Sequence, residues 1–306
     1  MAGTLLHAFT GAGLVPGPVT TQANFALAMA GGAGLTVAMA SWRGLPISTT
    51  HALIGAMTGA GLVVAGSSLH FATLGTSFLL PLLASPILAM LPAWLLRPVF
   101  RGLAERAARM PECVCRIPGA MVQTPDGQTL HMAGETVSDS HVACARHGVR
   151  NRWLRPDARG AVNSLLFLSG GAASFARGLN DTPKIAALLL PLASLDASTS
   201  TGLVGVAMMV GGLVGAHRVA RTMSHRITRL DPGNALSASL TTALLVGTAS
   251  FNGLPVSTTH VSVGALAGAG GRQGVDGRVL GRVIVSWVVT LPVGALLGAM
   301  CMLGLR

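Results

Sequence analysis

The 306-residue chain has no tyrosine, a single lysine, only ten acidic residues and few aromatic side chains. Without tyrosine it lacks a common surface for stacking bases, so its net charge of +11 does not point to nucleic acid. Charged residues make up 10% of the chain and hydrophobic ones 51%, a balance too apolar for a soluble domain of this size. No Lys or Arg stands before Gln22, so a charged secretory leader is not expected and targeting falls to the apolar runs.

What the chain does have is a repeat. Gly44-Leu45-Pro46-Ile47-Ser48-Thr49-Thr50-His51 returns 209 residues later as Gly253-Leu254-Pro255-Val256-Ser257-Thr258-Thr259-His260. Gly55, Ala56, Gly59, Ala60 and Gly61 recur as Gly264, Ala265, Gly268, Ala269 and Gly270, and Ala40-Ser41 recurs as Ala249-Ser250. A polar Ser-Thr-Thr-His knot between apolar, glycine-rich arms, once in each half, is the trace expected of a transporter built from two structural repeats.

Apolar runs place membrane-embedded segments at about 24–42, 46–66, 70–96, 160–193, 200–217, 235–251, 255–271 and 280–303. Residues 97–159 differ, with ten Arg, six acids and three of the four cysteines. The expected organisation is a first transmembrane repeat over 1–96, a cytoplasmic loop over 97–159 and a second repeat over 160–306. Basic stretches at 217–229 and 272–282 should also face the cytoplasm. The stretches 48–62 and 257–271 are short for full spans and read as arms of re-entrant-type helical hairpins. Hairpin 235–271 has basic flanks and hairpin 24–66 does not, and three crossings separate them, so the repeats are expected to be inverted. The fold class is an all-α integral membrane protein, an inverted-repeat secondary transporter.

Hairpin tips brought to mid-membrane from opposite faces would line one cavity. Pro46 and Pro255 stop one arm, and the amides that open the next, beside Ser and Thr hydroxyls, suit an anion. Helix capping alone also accounts for one Ser-Thr-Thr, but not for its duplication. His51 and His260 read as supports behind the turns. A second polar island, Arg177-Gly178-Leu179-Asn180-Asp181-Thr182-Pro183-Lys184, holds the only acid well inside an apolar run. Gly178 and Pro183 predict a helix break there, whose freed carbonyls would join Asn180 and Asp181 around a small hard cation. Lys184, the only lysine beside twenty arginines, is a candidate for the anion, with a salt bridge to Asp181 as its structural alternative.

These motifs resemble the inorganic phosphate transporter (PiT) family. The Gly-x-Pro-[Val/Ile]-Ser-Thr-Thr-His hairpin is matched twice in full and the Gly-Ala-Asn-Asp motif once, at Gly178 to Asp181, with Leu179 for alanine. The resemblance covers nearly everything outside the central loop. It implies a multi-pass protein of the cell membrane, not an enzyme, that carries inorganic phosphate by alternating access, with Na⁺ or H⁺ as coupling ion and no other cofactor. Carried over, the substrate-binding residues are Ser48, Thr49, Thr50, Asn180, Asp181, Lys184, Ser257, Thr258 and Thr259, with Asn180 and Asp181 also serving the cation. The lipid bilayer is the surrounding partner, and a homodimer is left open.

One departure stands out: the position 209 residues before Asn180 falls ahead of Met1. The first repeat's Asn-Asp element is therefore expected upstream, in a longer reading frame, or is missing from a shortened homologue with half a cation site. Cys113, Cys115, Cys144 and His147 offer three thiolates and an imidazole for zinc. The Cys113–Cys115 spacing is tighter than structural zinc favours, and no metal is assigned. Two alternatives to phosphate transport remain: a permease of the same fold for sulfate or another oxyanion, and an intramembrane hydrolase using Ser257, His260 and Asp181. The second lacks a Gly-x-Ser-x-Gly elbow and leaves the duplication unexplained.

Overall fold

Several helix starts here are set by short polar side chains placed just ahead of apolar runs. The computed structural model describes residues 2–109, 113–116, 121–123, 129–131, 136–139, 152–153, 158–191, 195–228 and 231–306. Its helices are α1 (Ala2–Ala8), α2 (Gly17–Thr20), α3 (Ala23–Trp42), α4 (Thr49–Ala65), α5 (Phe71–Arg109), α6 (Ala158–Ala186), α7 (Ala197–Gly215), α8 (His217–Arg221), α9 (Pro232–Phe251), α10 (Thr258–Gly274) and α11 (Gly277–Gly304). Asp196, Asp231 and Asp276 cap α7, α9 and α11, accepting from the amides of Ser198 at 3.0 Å, Asn234 at 2.8 Å and Arg278 at 2.9 Å. Each carboxylate satisfies a first-turn N–H that has no partner inside its helix.

The 209-residue shift maps α3 onto α9 and α4 onto α10 at both ends of each helix. The pairs also share one turn. Gly44 and Gly253 take φ of +69° and +67°, a conformation open to glycine, while the Leu45 amide donates to Ala40 O at 3.0 Å and that of Leu254 to Ala249 O at 2.9 Å. This is a helix stop in which glycine lets the chain reverse and the next residue closes a freed carbonyl. Pro46 and Pro255 follow and prevent the helix from resuming.

Each hairpin rests on the long helix of the other half: α3 and α4 pack on α11, whereas α9 and α10 pack on α5. Glycine makes the contact close. A Cβ on Gly59 would fall 2.8 Å from Ala295 Cα, and one on Gly264 would fall 2.7 Å from Pro86 Cα. Between apolar helices in lipid, such backbone approach is what dispersion forces need. Two buried clusters result, one holding Phe9, Phe25, Met57 and Phe78 and the other Ala89, Val261, Leu266 and Trp287. Outward-facing residues such as Leu83, Leu213 and Val288 are more than half exposed and apolar, as a lipid-facing surface requires.

Among the described residues, five helices are long and apolar enough to cross a membrane: α3, α4 with the turn after it (Thr49–Ser68), α5, α7 and α11. The expected segments at 160–193, 235–251 and 255–271 correspond to helices α6, α9 and α10, of which α6 ends at Ala186.

Four expectations change. The break at Gly178–Pro183 is absent, because α6 runs through to Ala186 with Pro183 inside it. Proline there removes one hydrogen bond, to the Leu179 carbonyl, without ending the helix. Second, α5 continues to Arg109, past the apolar run that ends near 96, because Leu103, Ala104, Ala107 and Ala108 sustain helix after hydrophobicity falls. Third, the shortness of 48–62 does not hold for α4, since Thr49–Ser68 is 20 residues, enough to cross alone. Fourth, residues 2–20, outside the assigned segments, contain α1 and α2, with Leu5, Phe9, Leu14 and Val19 buried. In the central region, strands Met121–Gln123 and Thr129–His131 pair antiparallel, and Cys113–Arg116 pairs with Thr136–Asp139 and Arg152–Trp153.

Candidate functional site

The tips of the two hairpins converge on α6. The Lys184 ammonium, on a side chain 1% exposed, donates to Val256 O at 2.7 Å, Thr50 Oγ1 at 3.0 Å and Asp181 Oδ1 at 3.2 Å. An ammonium has three donors, and all three are used. Asn180 Nδ2 donates to the same Val256 carbonyl at 3.0 Å and to Asp181 Oδ1 at 3.0 Å, while its Oδ1 accepts from Ser250 Oγ at 3.4 Å. Thr258 Oγ1 donates to Asp181 Oδ2 at 3.0 Å. A carboxylate and an ammonium this deep are sustained only by such mutual pairing.

The carbonyl at the centre comes from the hairpin and not from α6. Val256 lies in the irregular stretch between Pro255 and Ser257, where no helix uses its oxygen. Sequence offered one signal for it, the proline that forces non-helical backbone beside a polar knot. The spacing on α6 places Arg177, Asp181 and Lys184 on one face, as i, i+4 and i+7 require. Arg177 Nη2 donates to Ser262 Oγ at 2.6 Å, a second tie between α6 and α10.

The remaining hydroxyls divide. Ser48 and Ser257 turn back on their own helices, accepting from the His51 amide at 3.0 Å and the His260 amide at 3.2 Å. Thr50 donates to Val256 O at 3.5 Å while accepting from Lys184. Thr49 and Thr259 are half-buried and have no side-chain hydrogen bond among the described residues. The first-turn amides of α4 and α10 point out of their helices at this level, as at any helix start.

Behind the tips the two motif histidines touch, with ring centroids 4.7 Å apart, and His260 lies against the Trp287 ring at 3.8 Å. Trp287 Nε1 donates to Pro46 O at 3.0 Å and a ring nitrogen of His260 bonds Leu82 O at 3.0 Å. The histidines thus pack behind the tips, and Trp287, against His260, makes the bond to the first turn. Phe9, for which the sequence reading had no role, sets its ring 5.6 Å from the Lys184 nitrogen and packs edge-on to Phe78.

The hydrolase assembly is not formed. Ser257 Oγ bonds the His260 backbone and not its ring, and the Asp181 partners are Thr258, Asn180 and Lys184. Of the zinc candidates, Cys144 and His147 lie outside the described residues, and Cys113 and Cys115 sit on one strand. No group of three or more His, Cys, Asp or Glu suited to a metal occurs among the described residues.

Comparison with known proteins agrees with this architecture. The model of the phosphate transporter family matches residues 2–298. A Rhizobium meliloti protein named as a low-affinity inorganic phosphate transporter is 30% identical over 305 residues, covering 95% of this chain and 77% of its own. The chloroplast inorganic phosphate transporter 2-1 of Arabidopsis thaliana is 28% identical, over 87% of this chain and 56% of its own. A solved sodium-dependent phosphate transporter superposes with a TM-score of 0.71 at 21% identity, over 98% of this chain and 84% of that one, and so shares the fold. With a family model matched over residues 2–298, the chain is a multi-pass membrane protein, a transporter and not an enzyme, and it belongs to the phosphate transporter family.

Proposed function

We propose that this chain carries inorganic phosphate across the cell membrane by alternating access, coupled to Na⁺ or H⁺. The observation that carries the reading is the convergence of both Ser-Thr-Thr tips on one charged cluster, with Thr50 and Val256 each bonded to Lys184. In this reading the first and second repeats, 1–96 and 160–306, are inverted, their hairpins are re-entrant, and 97–159 is a cytoplasmic loop. Exchange of hairpins between the long helices of the two halves supports a two-fold relation between repeats.

The phosphate site comprises Ser48, Thr49, Thr50, Ser257, Thr258 and Thr259, with Asn180 and Asp181 shared between anion and cation and Lys184 beside them. Hydroxyls and helix-start amides hold a dianion without a permanent cationic clamp, so release stays fast. One observation favours a proton as coupling ion. The Lys184 ammonium already occupies the place between carboxylate, carbonyl and hydroxyl that Na⁺ would take.

The test is uptake of radiolabelled phosphate into liposomes containing the purified protein, under a Na⁺ gradient or a pH gradient, beside radiolabelled sulfate. Phosphate uptake driven by either gradient supports the reading. Uptake of sulfate alone, or of neither anion, overturns it.

A further inference from the structure

On one flank of the bundle α3 and α11 run antiparallel. Asn24 Nδ2 donates to Leu305 O at 2.9 Å at one end, and a groove of about 640 Å³ opens toward the other, lined at its mouth by Arg43 and Arg282. The wall is apolar, with Met39, Val285, Val289 and Val293 along it. From Arg282 to Val293 the helix advances about 16 Å, enough to lay an acyl chain along it. Both arginines are exposed, and neither has a carboxylate partner among the described residues.

The repeat supplies an internal comparison. Six residues of α3 and its following turn line this groove, and all six, shifted by 209, line a second groove of about 200 Å³ between α5 and α9. There Asn252 stands for Arg43, and no arginine lines the groove. The fold therefore makes the groove twice and charges it once, so the arginine pair serves something other than packing.

We propose that the α3–α11 groove binds an anionic membrane phospholipid, its acyl chain along the valine face of α11 and its headgroup phosphate between Arg43 and Arg282. Guanidinium groups match phosphate oxygens in fork geometry and are weakly hydrated. Basic pockets between helices toward the cytoplasmic face are where anionic headgroups lodge; the basic stretch 272–282 puts Arg282 there, and Arg43, exposed beside the first tip on the same flank, reaches toward it by extending its long side chain. Free phosphate would match the arginines but leave the apolar wall unused.

The test is native mass spectrometry of the protein in mild detergent, titrated with phosphatidylglycerol or phosphatidylcholine. Each basic residue is worth about fivefold at an anionic surface, so the wild type should retain phosphatidylglycerol roughly thirtyfold better. Arg43→Gln with Arg282→Gln should abolish that preference, and Val289→Trp, which fills the groove but keeps both charges, should reduce retention of either lipid. Unfolded variants are identified by melting temperature, and a preference that survives in folded Arg43→Gln with Arg282→Gln would place the lipid elsewhere and overturn the proposal. Equal retention of the two lipids by wild type, or competition of the preference by millimolar inorganic phosphate without effect of Val289→Trp, would overturn the proposal.

Discussion

Lys184 and Thr50 lie 134 residues apart in the chain, yet Nζ and Oγ1 meet at 3.0 Å. The same ammonium bonds Val256 O, so one buried charge on α6 ties the tips of both hairpins. Movement of either hairpin relative to α6 must break or replace one of these bonds.

Asp181→Asn should reduce coupled phosphate uptake on the order of a hundredfold while phosphate binding in detergent falls much less. The amide keeps a hydrogen-bonding group but loses the charge. It also leaves Lys184 buried without its counter-charge, a loss of about 3–5 kcal/mol of stability. Asp181→Asn with Lys184→Gln should restore most of the melting temperature but not uptake. Near-normal, cation-dependent uptake by Asp181→Asn removes this carboxylate from the mechanism.

Lys184→Gln alone should make uptake or thermal stability respond to Na⁺ when the wild type does not, because the vacated position lies between a carboxylate, a carbonyl and a hydroxyl. Thermal melts in sodium and in choline chloride measure this directly. A wild type that already depends strongly on Na⁺ contradicts the tethered-ammonium reading.

Thr49→Val and Thr258→Val should each raise the half-saturating phosphate concentration roughly ten- to hundredfold, the loss of one hydrogen bond to a charged group. If these threonines serve only the helix starts, stability falls by about 1 kcal/mol and affinity stays the same. Both quantities can be read on the same purified variants.

A cysteine at Ser67 should react with an impermeant thiol reagent added outside, whereas one at Gly274 should be shielded. The basic flank of the second position and the uncharged flank of the first require it. Labelling of both from one side would contradict inverted repeats. The third position suited to this test, Gly127, lies outside the described residues.

Gly59→Val and Gly264→Val should each destabilise the protein by about 1–3 kcal/mol or more, because the added carbons meet the backbone of α11 and α5. Gly102→Ala, with nothing within 4 Å of the new carbon, should be neutral or slightly stabilising. Melting temperatures of the three variants separate contact from propensity.

The repeat was readable because its signals are local. Glycine with positive φ, proline two residues on and a capping serine each act on their own neighbours, so both hairpins start and stop in register with the 209-residue shift. Asp181 and Lys184 were readable because charge in an apolar run is costly wherever it lies. Gly178 and Pro183 suggest a helix break that does not form, because they weaken a helix but do not end one held by α1 and α9.

By itself, then, the sequence determined the helical hairpins, their polar tips and the charged island on α6, since these follow from backbone preference and the cost of buried charge. Only the tertiary structure decided that Val256 O is the shared acceptor, that Phe9 faces Lys184, and that each hairpin lies on the long helix of the opposite half. Those contacts join residues far apart in the chain, and they depend on how glycine faces let helices approach, which no local pattern encodes.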